Sequence, residues 1–362
     1  MGGPRRIGVM TSGGDCAGLN AAIRAVVQRA VHGYGWEVVG ILNATHGFLS
    51  EPCDTISLTL ESVSGKLPLG GTMLGTTNYG NPFAYPDPDG TVRDRSQDVV
   101  DAYHRLGLSA LVAIGGDGSM AIMNKLAKVG QGMNLVAIPK TIDNDLGGTE
   151  LAIGFTTAVN VATEALDRLR STAESHRRVM ILEVMGRDAG HIALSAGIAG
   201  GAKIILIPEI PYDIDKVCAK ILDRQKRGLA YTLAVVAEGV KNLQGETVAQ
   251  QLHRSGLPRL GGIGDFISDR ISGKTGLDTR VTVLGHLQRG GTPSATDRLV
   301  ATAFGVKAVD LIAEEKYGHM VGWRNRSVDV VPIDEAIASY SCVDCADTLI
   351  HTARGMGICL GD

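Results

Sequence analysis

No stretch of this chain comes near the ~18 to 20 consecutive apolar residues that a bilayer span needs, although 44% of its 362 residues are hydrophobic. That is apolar material for more than one packed core, without a membrane helix. The opening Met1-Gly2-Gly3-Pro4-Arg5-Arg6 leads into a strand pattern and not into the apolar core of a signal peptide, so the expected location is the cytoplasm. An excess of positive charge is also missing. The formal net charge is -3, which argues against a dedicated nucleic-acid binder, because affinity for a phosphate backbone needs a basic face. Cysteines are few and scattered (Cys16, Cys53, Cys218, Cys342, Cys345, Cys359). Only Cys342 and Cys345 have C-x-x-C spacing, without the second pair or the neighbouring histidines of a zinc site. The thiols are read as buried or indifferent. Neither a fixed-period repeat nor a low-complexity tract occurs.

What is present is an alternation of short β-rich apolar runs with helical patterns. The strand candidates are Ile7 to Met10, Val38 to Leu42, Ala110 to Ile114, Leu135 to Ile138, Val179 to Val184, Ile204 to Ile207, Thr232 to Ala237 and Val281 to Leu284. This is the pattern of βαβ units with parallel sheets. Ile23, Val26, Val27, Ala30 and Val31 recur at helical spacing after the first strand, and a second such helix is expected from about Leu299 to Ile312. Asn81 to Asp94, with Pro82, Pro86, Pro88 and Gly90, reads as an exposed loop. Glycine, 48 residues in all, collects where strands end, the edge at which doubly wound sheets bind ligands.

Two of those edges carry chemistry. After Ile114 comes Gly115-Gly116-Asp117-Gly118-Ser119 and then a helical stretch, so bare backbone and helix N–H groups face an anion through Gly116, Gly118 and Ser119. Asp117 would repel that anion unless a divalent cation lay between them, which makes it the candidate Mg2+ ligand. A tight glycine turn needs no ligand, and for the tetrapeptide alone that reading stands level with the functional one. The next strand ends in Pro139-Lys140-Thr141-Ile142-Asp143-Asn144-Asp145. A kinase needs a carboxylate at the attacking hydroxyl and a cation at the moving phosphoryl group, tasks that suit Asp143 and Lys140. The competing reading is that Asp143 or Asp145 caps a turn.

Five ordered blocks resemble the phosphofructokinase family along nearly the whole chain. They are Thr11 to Asp15 with Gly18 to Arg24, the Gly-Gly-Asp-Gly turn, Thr141 to Asp145, Glu183 to Arg187, and Val283 to Gly291. The resemblance implies a Mg2+-dependent transfer of the terminal phosphoryl group of ATP to the 1-hydroxyl of fructose 6-phosphate. Gly14 would lie on the donor phosphates and Asp143 would be the general base, supported by Thr141 and Asp145. Arg187 would stand near the transferring phosphate. Met185, Gly186, Glu238, Arg280, His286 and Arg289 match the sugar-phosphate pocket, with Arg178 and Arg280 reaching across from a neighbouring subunit. Guanidinium groups suit that task because they fork onto phosphate oxygens. His286, between Gly285 and Leu287, is read either as a ligand or as a satisfied core histidine.

The chain also departs from the family pattern. Gly118 is the small residue of ATP-using members, whereas Lys140 is the residue of pyrophosphate-using ones, and room for the nucleotide favours ATP. Asn78 stands where the family usually places an arginine on the donor phosphates, and Ile122 where a glycine lets adenine lie flat. Lys226-Arg227-Gly228-Leu229-Ala230 lacks the lysines of the family's effector site, so activation by a nucleoside diphosphate is expected to be weak or absent.

The expected fold class is α/β, with two similar three-layer doubly wound domains, mainly parallel sheets and the active site in the interdomain cleft. A donor domain would comprise 1–154 plus 288–338, and a sugar-phosphate domain 155–287 plus 339–362. A homo-oligomer, dimer or tetramer, is implied by the resemblance. The alternatives are a reversible pyrophosphate-dependent enzyme and a catalytically silent binding homologue.

Overall fold

A computed structural model describes residues 5–86, 90–247, 249–252 and 258–362. The chain divides into two compact units. The first holds Met1–Thr141, Asp145–Thr156 and Arg289–Tyr340, and the second Ile142–Asn144, Thr157–Gln288 and Ser341–Asp362.

In chain order the first unit begins with β1 (Arg6–Thr11), α1 (Leu19–Gln28), β2 (Glu37–Ile41), α2 (Thr45–Leu49) and β3 (Thr55–Leu58). A two-residue antiparallel pair, β4 (Tyr85–Pro86) and β5 (Val92–Arg93), follows. Then come α3 (Ser96–Arg105), β6 (Ala110–Gly115), α4 (Asp117–Leu126), β7 (Leu135–Thr141) and β8 (Ile153–Gly154). Helix α5 (Phe155–His176) carries the chain into the second unit, built from β9 (Val179–Val184), α6 (His191–Ala199), β10 (Ile204–Leu206), α7 (Ile214–Lys226), β11 (Thr232–Ala237), a hairpin β12 (Ala249–Leu252) and β13 (Pro258–Leu260), α8 (Ile263–Thr275) and β14 (Thr279–Val283). The first unit is completed by α9 (Ala295–Ala313), β15 (His319–Arg324), β16 (Ser327–Pro332) and α10 (Ile333–Ala338), and the second by α11 (Thr348–Gly355).

The first sheet runs β16-β15-β7-β6-β1-β2-β3, with β8 also on β7. Its central strands are parallel, and only the flanking strands β3 and β16 run antiparallel. All six residues of β6 are buried, as expected of a strand covered on both faces. Residues two apart, Leu111 with Ala113 and Leu135 with Ala137, join Met120, Met123, Val99, Tyr103 and Ile333 in one core cluster. Each large side chain so buried contributes roughly 1.5–3 kcal/mol. Helix α1 packs on α9 through small residues: a side chain at Gly305 would come within 2.6 Å of Ala25 Cβ. Ala30 and Val31, placed by periodicity in the first helix, lie in a π-helical turn, Arg29–Gly33, that continues it.

The second sheet, β10-β11-β9-β14, is wholly parallel. Every residue of β9 and β11 is buried. One face packs Val179, Ile181, Leu206 and Val236 against Val217 and Ile221 of α7 and Ile267 and Ile271 of α8. On the other, Gly197 lets α6 approach Ile205, where any Cβ would come within 2.6 Å.

The proline-rich segment expected to be an exposed loop is partly anchored, because Pro82 is buried and Phe83 packs against the first core. Pro88, like Met1 to Pro4, lies outside the described residues. Among the described residues no helix is long and apolar enough to cross a membrane, and none of the six cysteines forms a disulfide.

Candidate active site

The register of the first sheet decides which turns meet. Thr11 of β1 lies beside Ile114 of β6, and Gly115 lies beside Pro139 of β7. The turns that follow these three strands therefore emerge together at one carboxyl edge. Ser12 N donates to the Ile114 carbonyl at 3.0 Å, and Gly13 N donates to that of Thr77 at 3.0 Å, while Thr76 Oγ1 donates back to Gly13 O at 2.6 Å. Asn78 follows directly and is exposed.

Glycine is required at some of these positions and merely permitted at others. Gly13 has φ +81°, and a Cβ on it would stand 3.0 Å from Ser119 Oγ and 3.4 Å from Lys140 Nζ. At Gly115 a Cβ would come within 2.7 Å of Ser119 Cβ, whereas at Gly14 the only clash, at 2.3 Å, is with the Arg289 guanidinium, the far end of a flexible side chain. A Cβ on Gly118, in contrast, would meet nothing within 4 Å. Packing does not demand a glycine there, so the space it leaves is available to a ligand.

Helix α4 starts at Asp117 with Gly116 as its N-cap and no side-chain cap, which leaves its first N–H groups turned toward the same edge. Lys140 is buried, and its Nζ donates to the Gly14 carbonyl, so it braces the first turn. Arg289, whose guanidinium lies against Gly14, has a buried Nε without a hydrogen-bond partner among the described residues. Burial pushes the Cys16 thiol up to about 12. Beyond β7, Asp143 is only 9% exposed, and Asn144 adopts φ +55°. Thr141 Oγ1 donates to Asp145 Oδ1 at 3.0 Å. Burial raises the Asp145 pKa, the Thr141 hydroxyl opposes that rise, and the charge of Asp117 adds to it.

Among the described residues no group of three or more His, Cys, Asp or Glu forms a metal cage. An exposed Asp117 at a helix N-terminus fits a different arrangement, Mg2+ held by one carboxylate together with phosphate oxygens. Ile122, read as crowding a purine, is half-buried and packs against the core.

In the second unit the candidate residues separate into two groups. At the carboxyl edge, Met185 N donates to Gln288 Oε1 at 2.8 Å and Arg187 N to Glu238 Oε1 at 3.2 Å. Between them Gly186 has φ +147°, and a Cβ on it would come within 2.5 Å of the Ala189 carbonyl, so no other residue fits. Burial raises the Glu238 pKa, and the backbone N–H groups of Arg187 and Gly186 pull against it. His286 is exposed in a 3-10 turn, Gly285–Arg289, and is neither on a strand nor in a core.

Arg178 and Arg280 lie at the opposite edge. Arg178 immediately precedes β9, and Arg280 faces Met180 in the register of β14 on β9. At ~3.3 Å per residue, the length of β9 puts roughly 20 Å between them and the Met185–Arg187 turn of the same chain.

Sequence reasoning missed three residues that organise these groups. Glu183 is buried on β9 and accepts from Gly262 N at 3.2 Å and Gly264 N at 2.8 Å, at the start of α8. It was quoted only as the first residue of a block, and its own signal was a carboxylate inside the apolar run Val179 to Val184. Gln288, 1% exposed, was quoted only as part of a block. Asp278 joins both arginines of the far edge, and no local pattern marks it.

The family model described as Phosphofructokinase matches residues 6–312. Over its full length, and 100% of both chains, the sequence is 60% identical to "ATP-dependent 6-phosphofructokinase 1" of Synechocystis sp.. Among solved structures, phosphofructokinase from Saccharomyces cerevisiae aligns with a TM-score of 0.78 and 32% identity, over 92% of this chain and 45% of the yeast chain. Pyrophosphate-dependent phosphofructokinase from Marinobacter aquaeolei shares the fold, with a TM-score of 0.79 at 22% identity over 99% of this chain and 92% of that one.

Proposed function

Since the chain belongs to the phosphofructokinase family, we propose that it transfers the terminal phosphoryl group of ATP to the 1-hydroxyl of fructose 6-phosphate, giving fructose 1,6-bisphosphate. The observation that carries this reading is the convergence of three strand-end turns on one edge of the first sheet, with a buried lysine and an open Gly118 among them.

The first unit serves the donor. Backbone N–H groups of Gly14, Gly116, Gly118 and Ser119, with Asn78 beside them, receive the phosphates, and Lys140 supplies the cation that Asn78 lacks. Asp117 would hold Mg2+, which would supply neutralising charge at the donor phosphates. Asp143 accepts the proton of the attacking 1-hydroxyl, and its burial strengthens that interaction. Thr141 and Asp145, already bonded to each other, hold the neighbouring backbone and the sugar. Lys140 and Arg187 offset charge on the moving group, which gains most where the donors are fixed in advance.

The second unit serves the sugar phosphate through Met185, Gly186, Glu238 and His286, with Arg289 following in the chain. The strand length between these and Arg178 with Arg280 favours a pocket completed by the arginines of a neighbouring copy, hence a homo-oligomer. The deciding experiment measures fructose 1,6-bisphosphate formation from fructose 6-phosphate and Mg2+ with matched ATP or pyrophosphate. Activity with ATP is expected, and activity with pyrophosphate alone would assign donor choice to Lys140.

A further inference from the structure

We propose that Asp278 is a positioning residue that holds Arg178 and Arg280 as one preorganised anion-binding pair. The inference rests on reading these arginines as ligands of the sugar's phosphate group. One Asp278 carboxylate oxygen pairs with Arg178 Nε and the other with Arg280 NH1, so a single side chain bridges both guanidinium groups. Arg280 NH1 also donates to the Thr279 carbonyl at 2.7 Å. Each guanidinium has five donor hydrogens. Among the described residues no other side chain takes the terminal nitrogens of Arg178 or the second terminal nitrogen of Arg280.

Backbone hydrogen bonds tie down the chain around the triad. Val179 N donates to the Asp278 carbonyl at 3.1 Å, Thr232 N to that of Arg178 at 3.1 Å, and Arg178 N to that of Ala173 at 3.1 Å. Asp278 thus sits where α8, closed by Gly276 at φ +70°, hands the chain to β14 beside β9. Its charge offsets the mutual repulsion of two cations held at the same end of adjacent strands. The pair keeps one net positive charge, and with its side chains 28% and 54% exposed it remains open to a phosphate. Fixing two flexible side chains in advance removes an ordering cost from binding.

The test uses the purified, full-length protein with Asp278→Asn and Asp278→Ala, read by steady-state kinetics in each substrate and by melting temperature. For Asp278→Ala, KM for fructose 6-phosphate should rise about tenfold, the size of a lost charge-assisted hydrogen bond, with a smaller rise for Asp278→Asn. KM for ATP and kcat should stay within about twofold. An unchanged sugar KM in both variants, or equal losses in kcat and in both KM values, overturns the proposal. If Asp278→Ala does not fold, Asp278→Asn decides alone. Arg280→Ala separates the two readings: an unchanged sugar KM there defeats the phosphate assignment itself. A rise there without one in the Asp278 variants defeats only the positioning role.

Discussion

In the first unit, the groups proposed to face the donor phosphates are mostly backbone: two turns of glycine and serine after the adjacent parallel strands β1 and β6, the first of them tied to Lys140 of β7 through the Gly14 carbonyl. In the second, they are side chains, and the backbone is what the side chains hold. Glu238 and Gln288 fix the turn Met185–Arg187, Glu183 fixes the start of α8, and Asp278 fixes two arginines. The candidate donor groups gather at one edge of one sheet. The candidate sugar-phosphate groups split between two edges of a sheet, and on the reading proposed above a second copy would bring them together. A polyphosphate chain can be gripped by repeated N–H groups, whereas a sugar carrying one phosphate demands separate contacts for hydroxyls and anion.

The comparison can be broken most severely at Asp143, on the segment Ile142–Asn144 that the chain inserts between two stretches of the first unit. Asp143→Ser should lower kcat by about 10²- to 10⁴-fold, with KM for fructose 6-phosphate within about threefold. A loss shared equally between kcat and both KM values would show a structural residue instead.

A second experiment sharpens the contrast between a complete site and a divided one. Arg280→Ala and His286→Ala chains, each nearly inactive alone, should regain about a quarter of parental activity when mixed copies assemble at random, since half the dimers are hybrid and each hybrid keeps one intact site. Absence of recovery in verified hybrids would mean that both residues act within one chain or not at all.

The smallest effect concerns Glu238. Its pKa lies above the ordinary value near 4.5 because of burial, so the protonated form is favoured in the folded state. The associated stability is present below the ordinary value and is lost as pH rises through the raised one. Glu238→Gln removes that dependence, and its melting temperature relative to the parent should improve by a few degrees between acid and neutral pH. An unchanged difference across that range would show that Glu238 ionises without cost.

Much of the first site was legible because it is local. Gly115-Gly116-Asp117-Gly118 and Lys140 to Asp145 each follow a strand that its apolar run announces, and the parallel pattern already places their ends on one edge. Arg289 was read from its motif as a candidate phosphate ligand, but its place against Gly14 was not legible, since 275 positions separate the two in the chain. His286 shows the opposite limit. The apolar neighbours suggested a strand, whereas the chain leaves β14 at Val283 and turns.

By itself the sequence determined the α/β alternation, the turns that carry glycine and carboxylate, and the candidate base, because periodicity and turn chemistry act over a few residues. Only the tertiary structure decided which turns are neighbours, which glycines are obligatory, and that Arg178 and Arg280 stand about a strand length from the other candidate residues of the second unit. Those facts depend on strand register and on contacts between residues far apart in the chain, which hydrophobic patterning constrains but does not specify.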